Sequence, residues 1–141
     1  MKLPPILFLV LAITLGFYAP DIVKSLKNKT EPFDIAQYCM LSSKSCEQNK
    51  VSMTLEQDIA KPLVPNTIEV IWENTLSDTL LLSLQGVEMD MGIAKYQLTK
   101  QPNGKFSTDI MLPVCTENKM TWIGTLTDGK KQVYAAIRME R

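Results

Sequence analysis

Hydrophobic and polar residues alternate over short stretches from residue 39 onward, a pattern typical of strands with one buried face. In Val51–Leu55, for example, the apolar residues Val51, Met53 and Leu55 fall on one face. Six more segments of strand character follow, at residues 68–72, 80–84, 95–98, 106–112, 121–126 and 132–139. About seven strands without a helical period predict an all-β domain over residues 38–141, an immunoglobulin-like antiparallel β-sandwich.

Turn signals separate these segments at regular intervals. Asn103-Gly104 and Asp128-Gly129 are the strongest, because both residue pairs favour the tight turns of β-hairpins. A proline-bearing loop is expected around Pro62 and Pro65. The large fillers of the predicted core are Trp72 and Trp122.

The N-terminal segment differs in character from the rest of the chain. Residues 3–20 carry no charge and lie between Lys2 and Asp21, which is long enough for one membrane-spanning helix. We therefore predict a transmembrane anchor at residues 1–20 and a polar stalk at residues 21–37. A cleaved signal peptide is the alternative, but the apolar run is long for one, and bulky residues surround the candidate cleavage site at Ala19.

Three cysteines leave the disulfide pairing open. Cys39 can pair with Cys46 in a local loop, and either of them can pair with the distant Cys115. Only the first pairing leaves Cys115 as a free thiol. Because two closely spaced cysteines suit an oxidising compartment, we expect a single-pass protein of the inner (cytoplasmic) membrane whose C-terminal domain faces the periplasm or cell exterior.

Composition excludes several classes of function. The formal charge is zero, from 15 basic and 15 acidic residues without a basic cluster, so the chain lacks the electrostatic footprint of a nucleic-acid binder. Histidine is absent, which removes Ser-His-Asp and Cys-His catalysis, most zinc sites and blue-copper sites. No carboxylate pair in apolar surroundings suggests acid–base chemistry, and we expect no enzymatic activity.

Sulfur-bearing residues are the candidate chemistry. Met89 and Met91 lie in one predicted loop, and Cys115 and Met120 lie in another. Thioether and thiolate sulfur are soft ligands that select Cu(I), and in an extended Met-x-Met segment both side chains project to one side. We therefore predict a Cu(I) site formed by these four residues. Methionine is also a common core filler and a soft contact surface for a partner, so core packing and partner binding are the alternatives.

The order of these features resembles that of the FixH-like and YtkA-like proteins, a class of membrane-anchored, immunoglobulin-like bacterial domains. The likeness covers residues 51–139 and rests on the first strand, the proline loop, the Met-bearing loop 89–92, the segment Gly104-Lys-Phe106, Leu112-Pro113 and Trp122. The chain is also similar to periplasmic copper chaperones with Met-rich sites, although their histidines are missing.

The resemblance implies an accessory role beside a respiratory complex. The expected function is Cu(I) binding that assists copper delivery to, or assembly of, a membrane cuproenzyme such as a terminal oxidase. The alternative is a metal-free interaction module that docks on a membrane complex.

Overall fold

Nine β-strands make up most of residues 34–141, the part of the chain that this computed structural model describes. The strands are β1 (Cys39–Met40), β2 (Cys46–Gln48), β3 (Val51–Leu55), β4 (Asn66–Trp72), β5 (Thr79–Gly86), β6 (Ile93–Lys100), β7 (Phe106–Ile110), β8 (Lys119–Thr127) and β9 (Gln132–Glu140). A 3-10 turn at Ile35–Gln37 precedes them, and the Asp34 side chain caps it by accepting a hydrogen bond from the Ala36 N–H.

The predicted anchor at residues 1–20 and residues 21–33 of the predicted stalk lie outside the described residues. Within residues 34–141, no helix is long and apolar enough to span a membrane.

The all-β prediction is confirmed, and all seven predicted strands are present as β3 to β9. Burial alternates along β3, β4 and the first half of β5, as expected when side chains of neighbouring residues project to opposite faces of a sheet. The two additional strands, β1 and β2, are only two and three residues long. Such short strands carry too few residues for a recognisable alternation.

The strands join in one sheet in the order β1-β9-β8-β5-β6-β7-β4-β3-β2. All neighbours are antiparallel except β1 and β9, which run parallel. The Asp128-Gly129 hairpin is confirmed, since β8 and β9 pair over nine residues. The Asn103-Gly104 turn also joins two neighbouring strands, but β6 and β7 pair only at Thr99 and Lys100 before they diverge.

A disulfide links the two strands at opposite ends of this order. Cys39 in β1 is bonded to Cys46 in β2, with 5.9 Å between their Cα atoms. The sheet is therefore nearly closed on itself, and the bond joins its two edges. This pairing is one of the three that the sequence leaves open, and Cys115 is a free thiol.

The core lies on the inner face of this curved sheet. Met53, Phe106 and Trp122 are almost completely buried there, and Trp72 is largely buried near one end. Trp72 and Trp122 thus contribute to the core, as the sequence predicts. Burying a large apolar side chain of this kind contributes about 1.5–3 kcal/mol, so the buried apolar residues together supply the main driving force for folding. The indole N–H of Trp122 has no hydrogen-bond partner among the described residues.

The strand registers place the connecting loops at two opposite ends. The loop end, as we call it, consists of the loops 56–65, 87–92 and 111–118 together with the C-terminus. Hydrogen bonds join its parts: Leu63 N–H donates to the Leu112 carbonyl, Val87 N–H to Thr121, and Arg141 N–H to Asn118. The turn end holds the connections 49–50, 73–78, 101–105 and 128–131.

Candidate functional site

The structure places all four predicted sulfur residues at the loop end. Met89 and Met91 lie in the loop 87–92 between β5 and β6, and Cys115 lies in the loop 111–118 between β7 and β8. Met120 is the second residue of β8. The four therefore belong to one region of the molecule, although they come from segments about 30 residues apart.

Met120 is not a loop residue, and in this respect the sequence-based prediction was wrong. Its side chain points from β8 into the core and is fully buried. It packs over Gly86 at the end of β5, where a Cβ atom would overlap the Met120 methyl group and lie 2.5 Å from the Met89 carbonyl oxygen. The glycine thus creates the space in which the Met120 thioether meets the base of the Met89 loop.

Met89 and Met91 are partly buried and pack against the hydrophobic core. Asp90, between them, is exposed, and its carboxylate accepts a hydrogen bond from the Gly92 N–H. This short turn holds the loop in shape, since Gly92 adopts a φ of +75° that side chains disfavour. Both thioethers consequently lie at the boundary between the core and solvent. One part of each side chain packs on the core, and the other part is exposed.

Cys115 is buried, and its thiol donates a hydrogen bond of 3.3 Å to the Glu117 carbonyl oxygen. The nearby Glu88 carboxylate accepts a hydrogen bond of 2.7 Å from the Thr121 N–H at the base of the same loops. The structure thus gives Glu88 a structural contact, in addition to the attraction for cations that its charge provides.

Conventional metal ligands do not converge in this region. Across residues 34–141, no group of three or more His, Cys, Asp or Glu side chains is placed to hold a metal ion. The predicted donors at the loop end are the thioethers of Met89, Met91 and Met120 and the thiol of Cys115. This donor set fits a soft monovalent ion such as Cu(I) and does not fit zinc, calcium or magnesium.

Exposed apolar side chains are concentrated at the loop end, a feature that the sequence analysis missed. Six large hydrophobic residues there are 40–58% exposed: Ile59, Leu63, Val64, Val87, Met111 and Val114. Single exposed apolar residues are ordinary, but a group of them on neighbouring loops is a candidate binding surface. We call these six residues the apolar rim.

Leu63 stands out within the apolar rim. It is 58% exposed and adopts a φ of +57°, a left-handed conformation that is uncommon for a leucine. Such a conformation costs about 1–2 kcal/mol, and exposure means that burial of the side chain recovers little of it. Leu63 follows Pro62 in a β-turn that the Val64 N–H closes by donating to the Lys61 carbonyl oxygen, and its own N–H donates to the Leu112 carbonyl oxygen. Strained residues of this kind cluster at functional sites.

The charge around the loop end is mixed, with several exposed carboxylates. Glu88, Asp90 and Glu117 are exposed in the two loops that carry the sulfur residues. Asp58, in the first loop, accepts hydrogen bonds of 2.7 Å from the Ser43 hydroxyl and backbone N–H, which lower the pKa of its carboxyl group. These groups form a polar margin beside the apolar rim, as in many protein interfaces.

A separate cleft opens at the turn end, with a volume of about 620 Å³. It is lined in part by Asn49, Lys50, Trp72 and Lys131 and contains none of the predicted sulfur residues. Because Trp72 is itself largely buried, little of this side chain is available to a ligand there.

Comparisons with known proteins identify no relative. No protein-family model, curated protein or solved structure matches the chain. The geometry of the loop end is therefore the basis for assigning a function.

Proposed function

We propose that residues 34–141 form a metal-free interaction module that docks through the apolar rim on a protein partner, a membrane complex. The observation that carries this proposal is Leu63, an exposed leucine in a strained backbone conformation. A partner with an apolar pocket would bury this side chain. The free energy of that burial would stabilise the complex, as it does for the anchor residues of protein interfaces.

The proposal includes the finer features that the sequence predicts. The division of the sheet at β6 and β7 supports an immunoglobulin-like sandwich of the FixH-like or YtkA-like kind, since only two residue pairs connect the five-strand and four-strand parts. An N-terminal anchor would hold the module beside its partner and raise the effective concentration of the apolar rim. The module would lie outside the cytoplasm, where the Cys39–Cys46 bond is stable.

Photo-crosslinking in membranes tests the docking role. The full chain would carry p-benzoylphenylalanine at position 63 or, as the matched control, at position 76, because Leu76 is 92% exposed but lies at the opposite end of the module. We expect a defined crosslinked protein from position 63 and none from position 76. Equal crosslinking from both positions, or none from position 63, would refute the proposal.

A substitution at Leu63 separates docking from folding. Asparagine tolerates the left-handed conformation better than leucine, so Leu63→Asn removes the apolar side chain while it retains or raises stability. The variant should co-purify with the partner at least tenfold less well than the native chain. A stable variant that still co-purifies at the native level would exclude Leu63 as an anchor.

Cu(I) delivery is the second candidate, and the free state of Cys115 favours it. The Cys39–Cys46 bond leaves this thiol unpaired at the same end as Met89, Met91 and Met120. We propose that these sulfur atoms, rearranged from their present packing, would hold Cu(I) for transfer to a membrane cuproenzyme. The apolar rim would then be the surface that contacts the acceptor.

A competition titration with Cu(I) under reducing conditions tests this candidate. The control for a double change of Met89 and Met91 to leucine is the same change at Met40 and Met53, which removes equally many thioethers away from the loop end. Copper delivery requires one tightly held ion per chain. The change at Met89 and Met91 should abolish this binding, and the change at Met40 and Met53 should leave it intact. Binding that is absent, or equal in the two variants, would eliminate it.

A further inference from the structure

One side of the interior strand β6 is unpaired beside the loop end, and we call it the open edge of β6. β6 pairs with β5 over seven residues, from Ile93 to Thr99, but meets β7 only at Thr99 and Lys100. Residues 93–98 therefore have no strand on their second side in the described part of the chain. An unpaired edge presents a row of backbone N–H and C=O groups that can pair with another extended chain.

The Tyr96 side chain spans the gap beside this edge. Its hydroxyl donates a hydrogen bond to the Met111 carbonyl oxygen, just beyond the end of β7. Burial raises the pKa of the Tyr96 phenol, so the hydroxyl keeps its proton throughout the neutral range. This contact joins the two diverging segments without pairing their backbones. The alternate residues Ile93, Lys95 and Gln97 of β6 are exposed.

Charge along β6 disfavours a second copy of this chain as the added strand. Lys95 is exposed and makes no ion pair with any residue in the described range. In the antiparallel register that pairs Ile93 with Gln97 of a second copy, Lys95 would face Lys95, and directly opposed like charges destabilise a strand pair. An acidic residue at this position of a different strand would instead be attracted.

The open edge is also continuous with the apolar rim. Ile93, the first residue of β6, is 62% exposed. The contact between Tyr96 and Met111 places this residue of the apolar rim beside β6. A chain paired along residues 93–98 would therefore lie beside Met111 of the rim. Backbone pairing would give affinity, and alternate side chains would give specificity.

We propose that the edge of β6 accepts an extended segment of the partner as an additional strand, with an acidic residue opposite Lys95 and apolar residues beside it. This inference rests on the proposed docking function and names the form of the partner: an acidic, alternating β-segment.

Binding of a defined peptide to the full chain in detergent tests the inference. The probe is a fluorescein-labelled hexapeptide of threonine and valine with one central glutamate, followed by fluorescence anisotropy. We expect saturable binding to the native chain, and affinity about tenfold lower for the Lys95→Glu variant. Replacing the peptide glutamate by lysine should restore the affinity for that variant. Equal affinity of both peptides for both proteins would overturn the proposal.

N-methylation distinguishes strand addition from simple charge attraction. Methyl groups on the amides that face β6 should abolish binding, whereas the same number on the outward-facing amides should leave it unchanged. If both methylated peptides bind equally, the probe is not an added strand and the inference fails. If crosslinking from position 63 persists while no peptide binds, strand addition is refuted and the docking function stands.

Discussion

The side-chain carbonyl of Gln48 accepts a hydrogen bond of 2.6 Å from the backbone N–H of Tyr134, 86 residues further along the chain. The amide group of the same side chain donates to the Gln37 carbonyl. Gln48 therefore connects β2 to β9 and to the segment before β1, close to the Cys39–Cys46 bond. One side chain and one disulfide together join the two edges of the sheet.

Replacing Gln48 by alanine should lower the free energy of unfolding by about 1–2 kcal/mol. The Tyr134 N–H would lose its partner, and an unsatisfied, partly buried backbone donor costs about this much. The control is Gln97→Ala, since Gln97 is exposed and forms no side-chain hydrogen bond within the described range. Urea unfolding of both variants gives the comparison, and equal midpoints would show that the Gln48 contact contributes nothing.

Removing the disulfide should cost about 2–3 kcal/mol, the value expected for a covalent loop of about eight residues. The double variant Cys39→Ala, Cys46→Ala would be compared with the native chain by thermal unfolding. A thiol assay provides the independent check: the denatured, unreduced chain should react with one equivalent of alkylating reagent, from Cys115. Three equivalents would mean that no disulfide forms.

Lys50→Gly should stabilise the fold by about 0.5–1 kcal/mol. Asn49 and Lys50 form the two-residue turn between β2 and β3, with φ values of 52° and 64°. Such a turn requires positive φ at both positions, which glycine adopts without steric cost. Lys44→Gly is the control, because Lys44 is not among the positive-φ residues and glycine there should lower stability slightly. A loss of stability in both variants would contradict the argument.

Gly86→Ala should destabilise the chain by about 1–3 kcal/mol, because the added methyl group overlaps the Met120 side chain and lies 2.5 Å from the Met89 carbonyl oxygen. Only the first of these two contacts can be relieved at position 120. Shortening Met120 to alanine is itself destabilising but makes room, so the double variant should lose less than the sum of the single variants. Gly124→Ala provides the contrast, since its methyl group would overlap the Ser83 carbonyl oxygen of the backbone, and Met120→Ala should not relieve it. Strict additivity at position 86 would exclude the contact.

Asp128 should make stability depend on pH in the acid range. Hydrogen bonds from the Lys131 and Lys130 N–H groups hold the pKa of Asp128 below its ordinary value of 3.8. A hydrogen bond from the Thr75 hydroxyl lowers this pKa to a smaller extent. A folded-state pKa below the unfolded value means that the carboxylate stabilises the fold above pH 3.8. This contribution is lost as the pH falls through the folded-state pKa.

Unfolding midpoints of Asp128→Asn and the native chain, measured from pH 7 down to pH 2, test this dependence. The variant should be less stable at pH 7, and the difference should shrink towards acid. The exposed Glu47→Gln controls for the loss of one negative charge. A difference between Asp128→Asn and the native chain that stays constant with pH would show that the Asp128 contacts do not stabilise the charged form.

Much of the fold follows from local sequence pattern. Alternating burial in β3 and β4 and the Asp128-Gly129 turn are local properties, and both predictions are confirmed. The Asn49-Lys50 turn was missed because its second residue is lysine, where the usual signal is glycine. Strand β1 depends on pairing with the distant β9, which no local pattern shows. Strand β2 was missed together with the Asn49-Lys50 turn, because its only strand partner is β3 on the other side of that turn.

The candidate site was less accessible to prediction. Met120 lies two residues before Trp122, a spacing that places both on one face of a strand and could have indicated its burial. The left-handed conformation of Leu63 belongs to a local β-turn over residues 61–64, in which Pro62 precedes Leu63 and the Val64 N–H donates to the Lys61 carbonyl oxygen. Pro62 predicted a loop here, but glycine or asparagine is the usual residue at the position of Leu63, so the sequence did not indicate a left-handed leucine. Cu(I) binding by Met89, Met91, Cys115 and Met120 stays a prediction.

The parallel pairing of β1 with β9 has a mechanical consequence. The chain enters β1 from the turn end and leaves β9 at the loop end, so tension applied to its two termini pulls these strands in opposite directions along their axes. In that shear geometry the backbone hydrogen bonds between β1 and β9 and the bond between Gln48 and Tyr134 are loaded together and do not break one after another. The disulfide passes part of the load directly into β2. A module held at one terminus and pulled by a bound partner would thus resist extension until these contacts fail together.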